Sequence, residues 1–527
     1  MCIRDSAVTL ATSPPSPACV RQSVGDAPLG FDAAAEARFE ARARAVFKSL
    51  TYVHVTLIVA HLIFGAELGF TALHLTLALL FYTCVRLIRD PVKLFVYCHP
   101  TILFSMTPYL YSTFAMKTAD EGLFDPFRSS LIAALYQLGM YGPAIISVVA
   151  RYLTTERPRV PSRRPALTGA LVIPAFYRTL TLLGAAGILV RGMNISPFVN
   201  AISDQAQSLF WVGLALHLFA RRQLYPLSAD IIFALLICGA VTVMANARSF
   251  LLEILFFMGT AHLMLARKAF GWRWLVPVWL LISTLNTFSA ITIEIRYTYP
   301  KGSPDKTAAY VQTLTSPEAL AAIFIPGRKY IGLGLSGRAE ASSRTLYNTP
   351  YFKHQSGFFE RLTLLPAMDI VTGRMGGVSR VNEPAIKELF RANLPFVSGK
   401  DLLYSDRVTW ELGLRNRDVI GRPMITSAGE LYTMAGYGAV LLFGLGFSSF
   451  LIIEYNLLVK ICGSYIVAAL LFLHILLYAT ITSTALSCTA LVFRSLPIML
   501  LTLAVLVALT SGATRPAVSP RLRSRPS

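Results

Sequence analysis

The sequence predicts an all-α membrane protein of about twelve transmembrane helices, with one large helical loop between spans nine and ten. Three observations predict it. Of 527 residues, 54% are hydrophobic and only 14% charged, where a soluble domain has roughly 45–50% and about 25%. Apolar runs of bilayer length recur along most of the chain. Basic residues fall in alternate connections, as the positive-inside rule requires of a polytopic protein. This composition excludes a soluble enzyme, a disordered chain and a secreted disulfide scaffold.

Residues 1–44, rich in Ala, Pro, Ser and Arg, hold no apolar core of signal-peptide length and read as a disordered cytoplasmic tail. The first nine runs are 46–64, 68–87, 97–116, 130–151, 168–190, 206–220, 227–245, 249–266 and 274–293. Residues 294–429 then form a polar segment too long for an ordinary connection, so it should fold and have a job. Within it, Glu383–Arg391 and Asp401–Leu414 read as amphipathic helices. Three runs follow at 430–453, 459–482 and 484–510; the sixth is short, and the last is long enough to bend. Residues 511–527 form a basic tail.

The net charge of +20 tests the orientation. One set of connections holds Arg86, Arg89 and Lys93, then Arg151, Arg157, Arg159, Arg163 and Arg164, then Arg221 and Arg222, then Arg267, Lys268 and Arg273, then Lys460. The termini join this set with Arg38, Arg42, Arg44 and Lys48, and with Arg515, Arg521, Arg523 and Arg525. The opposite short loops hold Lys117, Arg128, Arg191 and Arg248. Both termini are therefore expected in the cytoplasm and the long segment outside it. Topology accounts for much of the positive charge, so no nucleic-acid partner is expected.

Ionisable groups inside apolar runs mark candidate sites, because a charge there needs a partner or a cavity. Arg248 opens Ala-Arg-Ser-Phe-Leu-Leu-Glu, with Glu253 five residues on. Its guanidinium could grip a diphosphate at the membrane edge, or simply snorkel. Arg178 lies mid-span and Arg494 in the last run; each could line a cavity for an anionic lipid head group or sit in a buried ion pair, and Arg494 could instead be an interfacial residue between two half-spans. In the long segment, His354 could act as a general base and Arg361, beside Phe358 and Phe359, could hold phosphate; a surface histidine and an interfacial helix are the structural alternatives. Gly429-Glu430-Leu431-Tyr432 leads into span ten. Glu430 could orient the arginines or accept a proton, or could be a helix-start acid. Tyr432 would sit at the membrane boundary. Gly429, Gly436 and Gly438 would permit close helix packing.

No phosphate-binding glycine loop, dinucleotide motif or HExxH is present. The seven cysteines have no CxxC spacing. His54, His61, His74, His217, His262 and His474 are scattered over five of these spans without metal spacing and read as packing residues. Neither metal nor cofactor is expected.

The late long loop, Ala-Arg-Ser-Phe-Leu-Leu-Glu entering a span and Gly-Glu-Leu-Tyr returning from the loop together resemble the O-antigen or oligosaccharide repeat-unit (Wzy-type) polymerases of the bacterial inner membrane. That family commonly continues Gly-Glu-Leu-Tyr with Asn-Phe-Gly, where this chain has Thr433-Met434-Ala435-Gly436. The resemblance implies glycan transfer from undecaprenyl diphosphate to another lipid-linked unit. It would place Arg178, Arg248, Arg361 and Tyr432 on substrate and Glu430 or His354 on the acceptor hydroxyl. A chain-length regulator and a flippase would be partners. An O-antigen ligase, or a polysaccharide flippase or transporter, is the alternative.

Overall fold

A computed structural model describes residues 29–146, 174–193, 197–225, 228–233, 236–237, 239, 249–266, 271, 275–298, 305–325, 351, 362–375, 382–391, 407–408, 425–481 and 484–513. Among them every regular element is helical and there is no strand. Among the described residues, four helical stretches are long and apolar enough to cross a membrane: Ala34–Ile63, Leu68–Leu87, Ser427–Cys462 and Ala485–Ala508.

Helix α1 runs over Leu29–Ile63, so the expected disordered tail is helical well before residue 44. The reason is local. Ala-rich sequence favours helix, and Ala35, Phe39, Ala43 and Phe47 repeat at four-residue spacing and are all buried. Arg42 of this stretch donates to the carbonyls of His262 (3.4 Å), Leu263 (3.2 Å) and Ala266 (2.6 Å), which closes the end of a later helix at Ser249–Leu265. Arg42→Ala should lower the thermal unfolding midpoint in detergent by a few degrees, matching about 1–2 kcal/mol for lost charged hydrogen bonds.

After α2 (Leu68–Leu87), the third expected span is broken into α3 (Pro91–Thr101), a π turn (Ile102–Met106) and α4 (Thr107–Phe114). Asp90 starts α3, its carboxylate accepting from Val92 N (2.8 Å) and Lys93 N (3.4 Å). Helix α5 spans Pro126–Ile145, α6 Pro174–Met193, α7 Pro197–Arg221, α8 Ser249–Leu265 and α9 Leu275–Thr298. Helix α7 is longer than the short sixth run predicted, because polar Asn200, Ser203, Asp204 and Gln205 hide its first turns from a hydropathy reading. Most of the seventh run lies outside the described residues.

The described parts of the long segment are largely helical. It holds α10 (Asp305–Leu314), α11 (Pro317–Phe324), α12 (Leu365–Met375) and α13 (Glu383–Arg391). Asp401–Leu414 lies almost wholly outside the described residues. Helix α14 (Ser427–Cys462) returns to the bundle, followed by α15 (Tyr465–Ile481) and a bent last run: α16 (Ala485–Ala490), a second π turn (Leu491–Ser495) and α17 (Leu496–Ala513).

Helix α14 is not one rod. Ala435 (φ −154°, ψ 18°) and Gly436 (φ 73°, ψ −163°) leave helical space and split off a short first helix carrying Gly-Glu-Leu-Tyr. Only glycine adopts Gly436's backbone without strain. This corrects the packing role expected of Gly436 and Gly438: a Cβ on either would meet nothing within 4 Å. The close approach lies elsewhere. A Cβ on Gly139 of α5 would stand 2.3 Å from the carbonyl oxygen of Leu441, and one on Gly444 would stand 2.7 Å from that of Tyr136. Helices α5 and α14 thus cross backbone to backbone, as small residues permit in membrane bundles.

Candidate functional site

The candidate site is the seam where the long segment meets one end of the bundle. Loop backbone is tied to the first π turn and α4: Leu364 N donates to Leu103 O (3.3 Å), and Thr107 Oγ1 donates to Leu362 O (2.9 Å). Tyr351 is fully buried against α4, its hydroxyl 3.0 Å from Ser112 Oγ. The ammonium of Lys117 lies 3.5 Å from the Tyr351 ring centroid and donates 3.0 Å to Glu121 O.

Asp369 of α12 anchors this contact. Its carboxylate accepts from Phe124 N (2.6 Å), Asp125 N (3.0 Å) and Ser129 Oγ (2.5 Å), so a loop residue caps the start of α5. Burial raises its pKa, and the bonds from Ser129, Phe124 and Asp125 pull the other way. Sequence reading passed Asp369 over; the signal was a lone acid among the apolar residues of Leu364–Val371. Beside it, Arg128 pairs with Asp125 at 3.1 Å, partly exposed.

Glu430 sits within this region, fully buried. One carboxylate oxygen accepts from Ala485 N at 2.7 Å. The carboxylate therefore lies in the first turn of its own helix and at the start of α16, where both dipoles favour a negative charge. Of its two sequence-level roles, the helix-start acid is the one its bonding displays. Tyr432, also buried, packs on Tyr437 across the helix break at 5.0 Å between ring centroids and lies within electrostatic reach of Arg128 and Asp125. Glu430→Ala should cost about 1–3 kcal/mol by orphaning the Ala485 amide, and Glu430→Gln, which keeps an acceptor, should cost less; melting curves of the two variants check this.

Arg178 is not brought here. It projects from α6, which packs chiefly on α7, with over half its side chain exposed, and pairs with Asp230 at 3.2 Å. Of the alternatives weighed for it, the ion pair is the one present, although in a half-exposed position rather than a cavity. Arg248, His354 and Arg361 lie outside the described residues. Arg374 and Arg494 are described: Arg374 is exposed and stacks 5.7 Å from the Phe124 ring centroid, and Arg494 is half-buried in the second π turn. Glu253 is buried on α8, 3.7 Å from His474 Nε2 of α15, which supplies the partner a charge at that depth needs.

A small cavity lies under the docked loop, walled by Leu103, Phe104, Tyr136, Leu364, Ser427 and Cys488. His99 is also among its walls, but no lysine or arginine is, so it does not suit a diphosphate. On the outside of the same end, Phe390 of α13, Phe450 of α14 and Phe493 of the second π turn are exposed and in mutual ring contact, at 6.4 Å and 5.6 Å between centroids. This aromatic cluster beside Arg494 has the chemistry of a membrane-interface surface. Among the described residues no set of three His, Cys, Asp or Glu converges as a metal site.

Comparison with protein families, curated proteins and solved structures finds no match.

Proposed function

We propose that this protein is a multi-pass glycosyltransferase of the bacterial inner membrane that joins lipid-linked oligosaccharide repeat units on the non-cytoplasmic face. The observation that carries the reading is the docking of residues 362–375 and 382–391 across one end of an apolar helical bundle, locked by Asp369 on α5. An exported segment folded over a bundle mouth suits a substrate whose tail stays in the bilayer and whose sugars stay in water. The exposed ring cluster of Phe390, Phe450 and Phe493 offers an apolar approach for the tail. In this reading the chain makes about twelve crossings, with both termini cytoplasmic by the distribution of basic residues.

In the reaction, a hydroxyl of the acceptor sugar attacks the anomeric carbon of the donor glycan. The carbon–oxygen bond to undecaprenyl diphosphate breaks, the diphosphate leaves on its lipid, and the hydroxyl proton passes to a base. Guanidinium groups suit the diphosphate, and Arg248 and Arg361 are assigned that task. His354 is the proposed base. Glu430 is a positioning residue, acting through the start of α16, and Arg178 has no part in the step.

The test is purified protein with synthetic undecaprenyl diphosphate-linked repeat units. A ladder of products from the wild type, reduced about 100-fold by Arg248→Ala or Arg361→Ala as expected for lost contacts to leaving-group charge, supports the reading. Ladders of equal yield from all three proteins overturn the assignment of the arginines. In a deletion strain, single repeat units attached to the final acceptor support a polymerase, whereas long polymer retained on the carrier indicates a ligase and repeat units trapped on the cytoplasmic side indicate a flippase.

A further inference from the structure

Polar side chains that the glycan-transfer reading leaves unused, buried except for the last, line up along α3, the π turn and α4. Tyr97, Thr101, Ser105, Tyr109 and Thr113 recur at every fourth residue. In a regular α-helix each such step drifts about 40° around the axis, so four steps would carry the stripe most of the way to the opposite face. The wider π turn at Ile102–Met106 resets the register. Ser105, within that turn, and Tyr109, just after it, accordingly meet the same residue, His74.

The stripe is bonded into its neighbours. Ser105 Oγ lies 2.8 Å from His54 Nε2 of α1 and 2.5 Å from His74 Nδ1 of α2, and His74 Nε2 lies 3.0 Å from Ser130 Oγ of α5. A hydroxyl between two imidazole nitrogens accepts from one and donates to the other, so these four groups form a chain with a direction. Passing one proton along the chain reverses that direction and switches the tautomer of His74. On the same face of α5, two turns on, Gln137 is fully buried, and neither atom of its amide has a partner among the described residues. Tyr141, one turn further, is hydrogen-bonded to Thr101 and faces Cys98, with Cys84 beside them.

The line continues to both ends of the bundle. Tyr97 adjoins Cys84 and Asp90. Asp90 is fully buried, with Lys93 beside it, and accepts from Tyr455 (3.3 Å) and Tyr465 (3.1 Å). At the other end Tyr109 stands edge-on to His54, His61 and His74. There His61 Nε2 meets Thr113 Oγ1 at 2.9 Å, Thr113 is exposed, and Asp120 is the nearby charge.

We propose that this seam is a proton path along the bundle, from Thr113, His61 and Asp120 at one end to Asp90 and Lys93 at the other. Each histidine takes a proton on one ring nitrogen and releases one from the other. Hydroxyls pass protons on, and Gln137, with internal water, bridges Ser130 to Tyr141. One proton enters for each that leaves, and nothing else is consumed. Intramembrane histidines joined in a series fit such a relay. The proposal does not rest on the glycan-transfer reading.

The full-length protein is reconstituted into lipid vesicles loaded with a pH-sensitive dye, and a valinomycin-clamped potassium gradient makes the interior negative. The wild type should acidify the interior at least about tenfold faster than protein-free vesicles, as a continuous relay requires. His74→Phe keeps the ring and removes both nitrogens; it should return the rate to that of empty vesicles. Ser105→Ala removes one hydroxyl and should slow the rate about tenfold; it orphans a nitrogen on each of His54 and His74, so the melting temperature should fall by several degrees with the protein still folded. Thr76→Ala, on an exposed face of α2, should not alter it. Wild-type vesicles no faster than empty ones overturn the proposal, as does an undiminished rate in Ser105→Ala, the variant chosen to fold even if His74→Phe does not. Ladder synthesis is measured separately, so either reading can fail alone.

Discussion

Replacing Gly139 by valine is expected to prevent α5 and α14 from crossing as they do. A Cβ at this position would stand 2.3 Å from the Leu441 carbonyl oxygen, and 3.1 Å from both Gly444 Cα and Leu445 N. All three atoms are backbone, so no side-chain rotation relieves the clash. Two helices must separate, losing contacts along a shared face that includes Tyr136, Met140 and Phe447. Overpacking a compliant site costs about 1–3 kcal/mol; with only backbone to yield, the cost should reach or exceed the top of that range. Loss of folded protein on size-exclusion chromatography in detergent checks this. Gly438→Val, where a Cβ meets nothing within 4 Å, is the control and should leave the profile unchanged. Normal behaviour of Gly139→Val would mean that α5 and α14 do not cross at these glycines.

Asp369→Ala is expected to detach the long segment from the bundle. The substitution leaves two backbone amides at the head of α5 and the Ser129 hydroxyl without their acceptor. Each orphaned buried donor costs about 1–3 kcal/mol, so the sum rivals the stability of the contact itself. The expected result is faster tryptic cleavage after Arg374, at the exposed end of α12, with the bundle still folded. Asp369→Asn retains one acceptor oxygen and should be intermediate. Unchanged cleavage in Asp369→Ala would show that the segment is held by other contacts.

How much of this was legible in the sequence can be judged residue by residue. Helices at the described apolar runs, and helical stretches within the described parts of the intervening segment, followed from hydropathy and length. The amphipathic helix at Glu383–Arg391 was marked by its own periodicity. The helical start at Leu29 was missed because charged and apolar residues cancel in a hydropathy average, although the four-residue spacing of Ala35, Phe39, Ala43 and Phe47 shows it. The break in α14 was hidden because glycine serves both close packing and positive φ, and only the fold tells Gly436 from Gly139. Glu430 was found from its position, yet its partner, the Ala485 amide, lies in a distant part of the chain. The histidines were read one span at a time. The bonds of His54 and His74 to Ser105 and Ser130 join four separate elements, which no linear pattern encodes.

The kink at Gly436 frees the Met434 carbonyl, and the amide of Asn382 takes it up at 2.7 Å. The outer segment is thus stitched into the main chain of a helix that continues toward the lipid. Excising that segment would leave polar backbone stranded in an oily setting, where each unmet group costs several kcal/mol. Bundle and cover are consequently not interchangeable modules. Chimaeras that graft a foreign cover onto this scaffold should fail to assemble unless the graft reproduces that single thread.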